Sequence, residues 1–415
     1  MPLFSIPLSG LNAASSELSV ISNNLANLNT TGYKDQETSF RDLFYQTMGS
    51  TGGGDAIQIG SGAGVESVTS NFNNGSPDNT GVPTDMAITG NGFFVTQQNG
   101  VTQYTRAGNF TVSKAGILTT QDGQAVMGYP ATGGVVNAGT ALAPLQVGSG
   151  LTNPANATTS VTLNANLNAD TNVGDPAFST PATVYDSLGT PHVLSFQFSK
   201  TAANTWSYQV TIPAADTGSP GPNPTVISGP TTLAFDSSGN LTSPASNVAG
   251  ITVSGLADGA ADLNFSWDLY DSNGAPTLTQ MAAPSATAST QQNGCSSGTL
   301  QGFNVDSAGV LQGTFSNGQV VALGQIAIAS FANQEGLQLT GSNGYVPTLA
   351  SGAAVVGAPG SAGRGNITGG SLELSNVDVS QEFANLIIAQ RGYEANAKVV
   401  TTFDTIAQDT ISLIR

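Results

Sequence analysis

An apolar heptad stripe at each end of the chain is the feature that most constrains its fold. Near the start, apolar residues alternate three and four positions apart at Leu11, Ala14, Leu18, Ile21, Leu25 and Leu28. Near the end, interrupted only by Gln390 and Asp404, the same register places apolar residues at Val379, Phe383, Leu386, Tyr393, Ala397, Val400, Ala407, Ile411 and Ile414. Such stripes are typical of helices that pack along other helices. We therefore predict terminal α-helices whose assembly contacts are made by Leu11, Leu18, Ile21, Leu25, Leu28, Phe383, Leu386, Tyr393, Val400 and Ile411.

Local signals indicate where these helices begin and end. Pro7 suits a first helical turn, and Ser375 lies three residues before Asp378 in a loose capping-box pattern. The first helix runs into "NNLANLNTTGYK" at 23–34. Asn and Gly tolerate the left-handed conformations that end a helix and redirect the chain. We therefore predict a hinge at Asn27, Asn29 and Gly32.

The sequence between the terminal helices is typical of β-structure. Short apolar and aromatic runs such as "GFFVT" and "QIAIASF" are separated by Gly, Asn, Asp and Pro, a pattern that favours sandwich or barrel folds. "FTVSKAGIL" at 110–118 and "FNVDSAGVL" at 303–311 resemble each other and flank a proline-rich stretch. The fold class expected is mainly β, with two β-rich domains, one inserted in the other, and a coiled-coil-like inner domain of terminal helices.

The predicted domain boundaries follow from these shifts in composition. Residues 1–30 and 373–415 form the helical core domain, and 31–84 form an extended connector rich in Gly, Ser and Asn. Residues 85–147 and 293–372 form an inner β domain, into which 148–292 is inserted as an outer β domain.

Composition excludes several function classes. Charged residues are 8% of the chain, against about 25% in ordinary globular proteins. The nine bases form no cluster, so we expect no nucleic-acid partner. No run of 18 apolar residues occurs, so no membrane insertion is expected. The start of the chain lacks the charged and apolar regions of a cleaved signal peptide.

Catalytic, cofactor and metal sites are not expected. Cys295 and His192 are each alone in the sequence, which excludes a pair of histidine ligands. A hydrolase with a carboxylate pair is the enzyme alternative, with candidate acids at Asp85, Asp186, Asp236, Asp268 and Asp306. Most of these acids lie in or beside turn signals, where Asp is favoured for local hydrogen bonding. We therefore expect a protein that is not an enzyme.

Three separate blocks resemble one family. "SGLNAASSELSVISNNLANLNTTGYK" resembles the N-terminal signature of bacterial flagellar axial proteins, the rod and hook family. "YTRAGNFTVSKAGIL" and the closing "SNVDVSQEFANLIIAQRGYEANAKVVTTFDTI" resemble the family's other shared blocks. The large middle insertion and "YDSLGTPHVLSFQF" resemble the hook branch of the family. A distal rod protein and a hook-associated junction protein are the alternatives.

This resemblance implies a structural role. It implies a homopolymer that assembles into a curved, flexible tube joining rod to filament and transmitting motor torque. The implied partners are rod and hook-associated proteins, the hook cap and the export apparatus. The implied location is the extracellular flagellar hook and basal body, reached through type III export without a cleaved signal peptide.

Overall fold

The computed structural model describes residues 5–50, 56–148, 150–219 and 221–413. Ile414 of the predicted stripe lies outside these ranges. Within them the chain divides into two compact units. The first unit takes its residues from Met1–Gly148, Gly302–Gly313 and Val321–Arg415, and the second from Ser149–Gln301 and Thr314–Val320.

Two long helices, both in the first unit, lie near the two ends of the chain. Helix α1 spans Ser5–Ala26 and α2 spans Val379–Leu413. Pro7 is the third residue of α1, where its missing N–H would have no intrahelical partner anyway. Asp378, rather than Ser375, caps α2, because its Oδ1 accepts hydrogen bonds from the amides of Ser380 at 2.8 Å and Gln381 at 3.2 Å. In the described ranges neither helix is long and apolar enough to cross a membrane.

The strands are short, as the density of turn residues predicts. Those before residue 148 are β1 Gln36–Asp42, β2 Gln46–Ser50, β3 Ala56–Ile59, β4 Ala63–Ser70, β5 Pro77–Asn79, β6 Met86–Thr89, β7 Phe93–Gln98, β8 Val101–Thr105, β9 Thr111–Val112, β10 Leu118–Thr119, β11 Ala125–Thr132, β12 Val135–Val136 and β13 Ala143–Pro144. The next are β14 Thr152–Asn153, β15 Ser160–Asn168, β16 Phe178–Tyr185, β17 Pro191–Ala202, β18 Thr205–Ile212, β19 Thr225–Phe235, β20 Leu241–Ser243, β21 Val248–Val253, β22 Leu263–Asp268, β23 Leu278–Met281 and β24 Ala286–Gln292. The last are β25 Gly298–Val305, β26 Val310–Phe315, β27 Val320–Ile326, β28 Ile328–Ser330, β29 Gln338–Gly341, β30 Gly344–Val346, β31 Val355–Gly357, β32 Asn366–Gly369 and β33 Ser371–Glu373.

The β part of the first unit has apolar residues on both faces of its main sheet. Strand β7 pairs antiparallel with β8, β11 and β28. Successive side chains of a strand point to opposite faces, so Phe93 and Phe94 enter different clusters. Phe93 packs with Tyr104, Phe331 and Tyr345, whereas Phe94 packs with an aliphatic and aromatic cluster that includes Phe110. Buried strands of this kind explain the continuous apolar run "GFFVT".

The second unit is built from two five-stranded sheets around one core. One sheet has the order β16-β17-β18-β19-β20, and the other has the order β21-β22-β15-β23, with β24 also paired to β15. Strand β17 shows the alternating burial expected of a sheet with one face in a core. The core includes Trp206, Trp267, Phe196 and Tyr208, all almost completely buried. A 3-10 helix at Ala214–Thr217 follows β18.

The predicted fold class, mainly β with terminal helices, is confirmed. The predicted domain boundaries stay predictions, but part of the proposed connector at 31–84 is regular structure. In this stretch β1 pairs antiparallel with β4, and β2 pairs antiparallel with β3. Its many Gly, Ser and Asn residues therefore did not prevent strand pairing, since backbone hydrogen bonds do not depend on side-chain type.

Candidate assembly site

The two terminal helices pack on each other, and α1 also contacts β1 and β4. Small residues permit their close approach. A Cβ atom added to Gly10 of α1 would lie 2.8 Å from the amide atoms of Asn396 on α2. Ala13 and Ala14 on α1 and Ala389 on α2 are buried. Gly10 therefore permits the close approach of α1 to the Asn396 side chain of α2.

The predicted assembly residues separate into buried and exposed members. Ile21 is buried. Half-buried side chains are found at Leu11, Leu18, Leu25, Leu28, Leu386 and Val400. Exposed side chains are found at Phe383, Tyr393 and Ile411. Contact within a single chain therefore covers only part of the predicted stripe.

A second apolar stripe on α2, which the heptad analysis did not select as one face, is also exposed. Ile388, Val399 and Ile406 follow one another at intervals of eleven and seven residues, which places them on one helix face at 3.6 residues per turn. Ile388 is 67% exposed and Ile406 is 53% exposed. Exposed apolar stripes of this kind are typical of interaction surfaces. A search for a second helical period in the same segment would have found it.

The segment that leaves α1 is tied down by asparagine side chains. The side-chain amide of Asn24 donates to the backbone oxygen of Gln36 at 2.9 Å, and its Oδ1 accepts from the Gln36 amide at 3.0 Å. The Tyr33 hydroxyl donates to the same Oδ1 at 3.1 Å. Burial, together with the nearby charges of Asp35 and Glu382, raises the pKa of Tyr33 to about 12. The tyrosine therefore stays a hydrogen-bond donor at neutral pH.

The predicted hinge residues act in different ways. Gly32 has φ +67°, and a Cβ atom there would lie 2.8 Å from the carbonyl carbon of Arg106. Asn27 acts through its side chain, which donates to the Asn23 backbone oxygen at 2.9 Å and accepts from the Thr30 hydroxyl at 3.0 Å. Among the described residues of 23–34, Gly32 carries the positive φ. Asn29 is exposed.

A buried ion cluster lies beside Gly32 and was missed by the sequence analysis. Lys34 Nζ lies 2.7 Å from Glu373 Oε1, and Arg106 Nε lies 3.3 Å from Glu373 Oε2. Arg106 also donates to the backbone oxygens of Gly92 at 2.7 Å and Gly90 at 2.9 Å. Burial lowers the pKa of both basic groups, and Glu373 opposes that shift. In so charge-poor a chain, a basic residue in the segment that follows a helix, such as Lys34, was a signal for such pairing.

Both chain segments that enter the helix pair are hydrogen-bonded together there. The Gly32 amide donates to the Glu373 backbone oxygen at 2.8 Å. The Asp35 amide donates to Asn376 Oδ1 at 2.7 Å, and the side-chain amide of Asn376 donates to the Asn71 backbone oxygen at 2.9 Å. We call Asn24, Gly32–Gln36, Arg106, Glu373 and Asn376 the junction. It fixes the direction in which both helices leave the β-structure.

The comparisons with known proteins agree along the whole chain. Four family models match: a flagella basal body rod protein model at 6–34, a flagellar hook protein FlgE/F/G D1 domain at 87–166, a flagellar basal body protein FlaE D2 domain at 152–295, and a flagellar basal body rod FlgEFG C-terminal model at 368–413. With the paired terminal helices and the β units, these matches define the class: a flagellar axial protein of the rod and hook type.

Full-length relatives define the family within that class. The chain is 36% identical to the flagellar hook protein FlgE of Salmonella typhimurium and covers 99% of it, with 99% of this chain aligned. It is 33% identical to the FlgE of Treponema pallidum, with 98% of each chain covered. The crystal structure of Helicobacter pylori flagellar hook protein FlgE2 matches the fold with a TM-score of 0.51 at 18% identity, covering 70% of this chain and 98% of that one. The chain belongs to the flagellar hook protein FlgE family.

Proposed function

We propose that the chain is the structural subunit of a bacterial flagellar hook and polymerises through its terminal helices. The observation that supports this most directly is the apolar surface of α2 that α1 leaves exposed, at Phe383, Ile388 and Ile406. Copies of the same helices in neighbouring chains have the complementary apolar character. Contacts that do not close on themselves build helical polymers.

The wider role rests on the family resemblance. The subunit assembles into a curved, flexible tube that joins the rod to the filament and transmits motor torque. Its partners are rod and hook-associated proteins, the hook cap and the export apparatus, and it is exported without a cleaved signal peptide. The distal rod protein and junction protein alternatives are not favoured, because the full-length relatives are hook proteins.

Deleting 375–415 tests the role of the helices in assembly. We expect the truncated protein to remain monomeric in sedimentation velocity while the intact chain forms long tubes. Circular dichroism of the truncated protein should retain its β signal, because the β cores do not use α2. Long tubes from the truncated protein would contradict the proposal. Electron microscopy of the intact polymer separates a curved tube from a straight rod or a short cap.

We also propose that 148–292 is an outer domain that sets curvature. A bent tube changes subunit spacing most at its largest radius, so contacts made there act most strongly on curvature. A short Gly-Ser bridge replacing 148–292 should give tubes that are straighter in electron micrographs. Normal curvature would assign that control to other parts of the chain, and unfolded protein would show that 148–292 is not separable.

A further inference from the structure

One end of the second unit gathers the only histidine of the chain and three carboxylates. His192 is the second residue of β17 and is 4% exposed, and Asp186 lies fully buried in the turn before that strand. Asp258 lies exposed in the loop between β21 and β22, and Asp216 lies in the 3-10 helix. Potential metal-ligand atoms of Asp186, His192 and Asp258 all lie within 4.8 Å of one another.

The carboxylate of Asp186 is held in a fixed orientation. Its Oδ1 accepts hydrogen bonds from the backbone amides of Leu188 and Thr190, each at 2.8 Å. Its Oδ2 is thereby directed at His192, 3.2 Å from Nε2.

The other ring nitrogen of His192 is buried without a hydrogen-bond partner. Nδ1 lies 3.2 Å from Asp216 Oδ2, close enough for an ion pair, but the two atoms are not aligned for a hydrogen bond. A neutral imidazole has one donor and one acceptor nitrogen. With carboxylate oxygens on both sides, the acceptor nitrogen of a neutral ring faces a negative oxygen, which is repulsive unless the ring is protonated or a cation lies between them.

The second unit supplies no basic side chain that could provide this cation. Lys200 is the only Lys or Arg in 149–301, and 314–320 contains neither. The ammonium group of Lys200 donates to the backbone oxygen of Ala169 and lies 6.0 Å from the centre of the Trp206 ring. Protonating His192 would add one positive charge to a cluster of three carboxylates. A divalent cation would neutralise the cluster more completely.

We propose that Asp186, His192 and Asp258 form a binding site for a divalent transition-metal ion, best suited to Zn²⁺. Ligands at ~2.0 Å from a tetrahedral zinc ion are roughly 3.3 Å apart, close to the 3.2 Å between Asp186 Oδ2 and His192 Nε2. Nitrogen and oxygen donors together suit zinc better than calcium, which takes six to eight oxygens. The exposed position of Asp258 gives the ion a path from solvent.

The remaining carboxylate has a role in the same arrangement. A histidine bound to a metal through one nitrogen usually donates its other N–H to an outer carboxylate or carbonyl, which fixes the ring. Asp216 lies on that side of His192, and its carboxylate would have to turn to accept this hydrogen bond. The ion would join the turn after β16, the start of β17 and the loop before β22, with the 3-10 helix as outer support. Binding would therefore stabilise the second unit against unfolding.

The test is a calorimetric titration of the full chain with ZnCl₂ after removal of metals by a chelator. We expect one saturable site per chain. Zn²⁺ should also raise the melting temperature of the second unit, followed by tryptophan fluorescence. In the original chain, Asp258 Oδ1 accepts a hydrogen bond from the Ala260 amide at 3.1 Å. Asp258→Asn removes the charge of this ligand and keeps an oxygen that can accept the same hydrogen bond. We expect at least about 10-fold weaker binding from this variant. The matched control is Asp262→Asn, an exposed acid of the same loop, which should bind as the original chain does.

Co²⁺ provides an independent measurement that needs no variant. Bound at a four-coordinate site with a histidine ligand, it should give visible absorption that Zn²⁺ displaces. Absence of saturable Zn²⁺ binding at millimolar concentration would overturn the proposal, as would equal affinities of the Asp258→Asn and Asp262→Asn variants. Circular dichroism confirms that both variants are folded. Tube formation is not a readout here, so failure of this site leaves the assembly role untouched.

Discussion

The core of the second unit and the terminal helix pair differ in how completely they bury their apolar side chains. Trp206, Trp267 and Phe196 are almost completely buried between two sheets of one chain. On α2, by contrast, Phe383, Ile388 and other large apolar side chains are more than half exposed. The first region buries its apolar side chains within a single chain, whereas the second leaves apolar surface uncovered, and we propose that other copies cover it. The difference separates folding from assembly, and each of the following changes should affect one without the other.

Trp267→Ala should have the largest effect on the folding side. The Trp267 ring centre lies 4.8 Å from that of Tyr208 and 5.1 Å from that of Phe196. We expect the free energy of unfolding of the second unit to fall by about 3–5 kcal/mol. Urea denaturation followed by the fluorescence of Trp206, the only other tryptophan, measures it. Val193→Ala, at an exposed position on β17 in the other sheet of this unit, should change it by less than about 0.5 kcal/mol. Similar losses from the two variants would show that the core is not closely packed.

Glu373→Gln should be nearly as costly, but in the first unit. It leaves Lys34 and Arg106 buried without their carboxylate, which we expect to cost about 3–5 kcal/mol. The control is Glu394→Gln, which breaks the exposed pair of Glu394 and Arg391 on α2 and should cost less than about 1 kcal/mol. Hydrogen exchange of the junction amides measures both, since neither tryptophan lies in this unit. Equal protection in the two variants would show that the buried cluster adds nothing.

Gly32→Ala tests the junction more gently. A left-handed alanine costs about 1–2 kcal/mol, and at Gly32 the new Cβ would also press on the Arg106 backbone. Gly133→Ala is the matched control, because Gly133 has φ +59° and open space around it. We expect Gly32→Ala to destabilise the first unit by about 1 kcal/mol more than the control does. Thermal unfolding of both variants, followed by the circular dichroism of tyrosine, provides the comparison. Equal losses of stability would show that the Arg106 backbone moves to accommodate the new Cβ.

Ile388→Ser should have the smallest effect on the monomer and yet impair assembly. Its side chain is 67% exposed, so the free energy of unfolding should change by less than about 0.5 kcal/mol. The concentration needed for tube formation, measured by light scattering, should rise at least about 10-fold, which corresponds to about 1.4 kcal/mol of lost contact. Thr405→Ser, at an exposed position of the same helix outside both apolar stripes, should leave that concentration unchanged. An equal effect from both variants would remove Ile388 from the assembly surface.

Local periodicity predicted the helices well, because a heptad stripe is a property of neighbouring residues. The strands and their fold class were also readable from turn residues and apolar runs. The interaction partners of individual side chains could not be predicted from the sequence. Lys34 and Glu373, for example, are 339 positions apart in sequence and meet only in the folded chain. The Ile388 stripe was missed for another reason: the heptad register was assigned to the helix–helix contact, and a second face on the same helix was not sought.

The junction has a mechanical consequence. A helix pair connected to its β-structure through a single chain segment could rotate about that segment. Here two chain segments, 32–35 and 373–376, are joined by hydrogen bonds from the Gly32 amide to the Glu373 carbonyl and from the Asp35 amide to Asn376 Oδ1. Rotating one segment against the other would strain these hydrogen bonds at the same time rather than break them one after another. The two segments therefore form a stiff connection. Rotation of the helix pair is passed to the adjoining β-structure of the same unit with little loss.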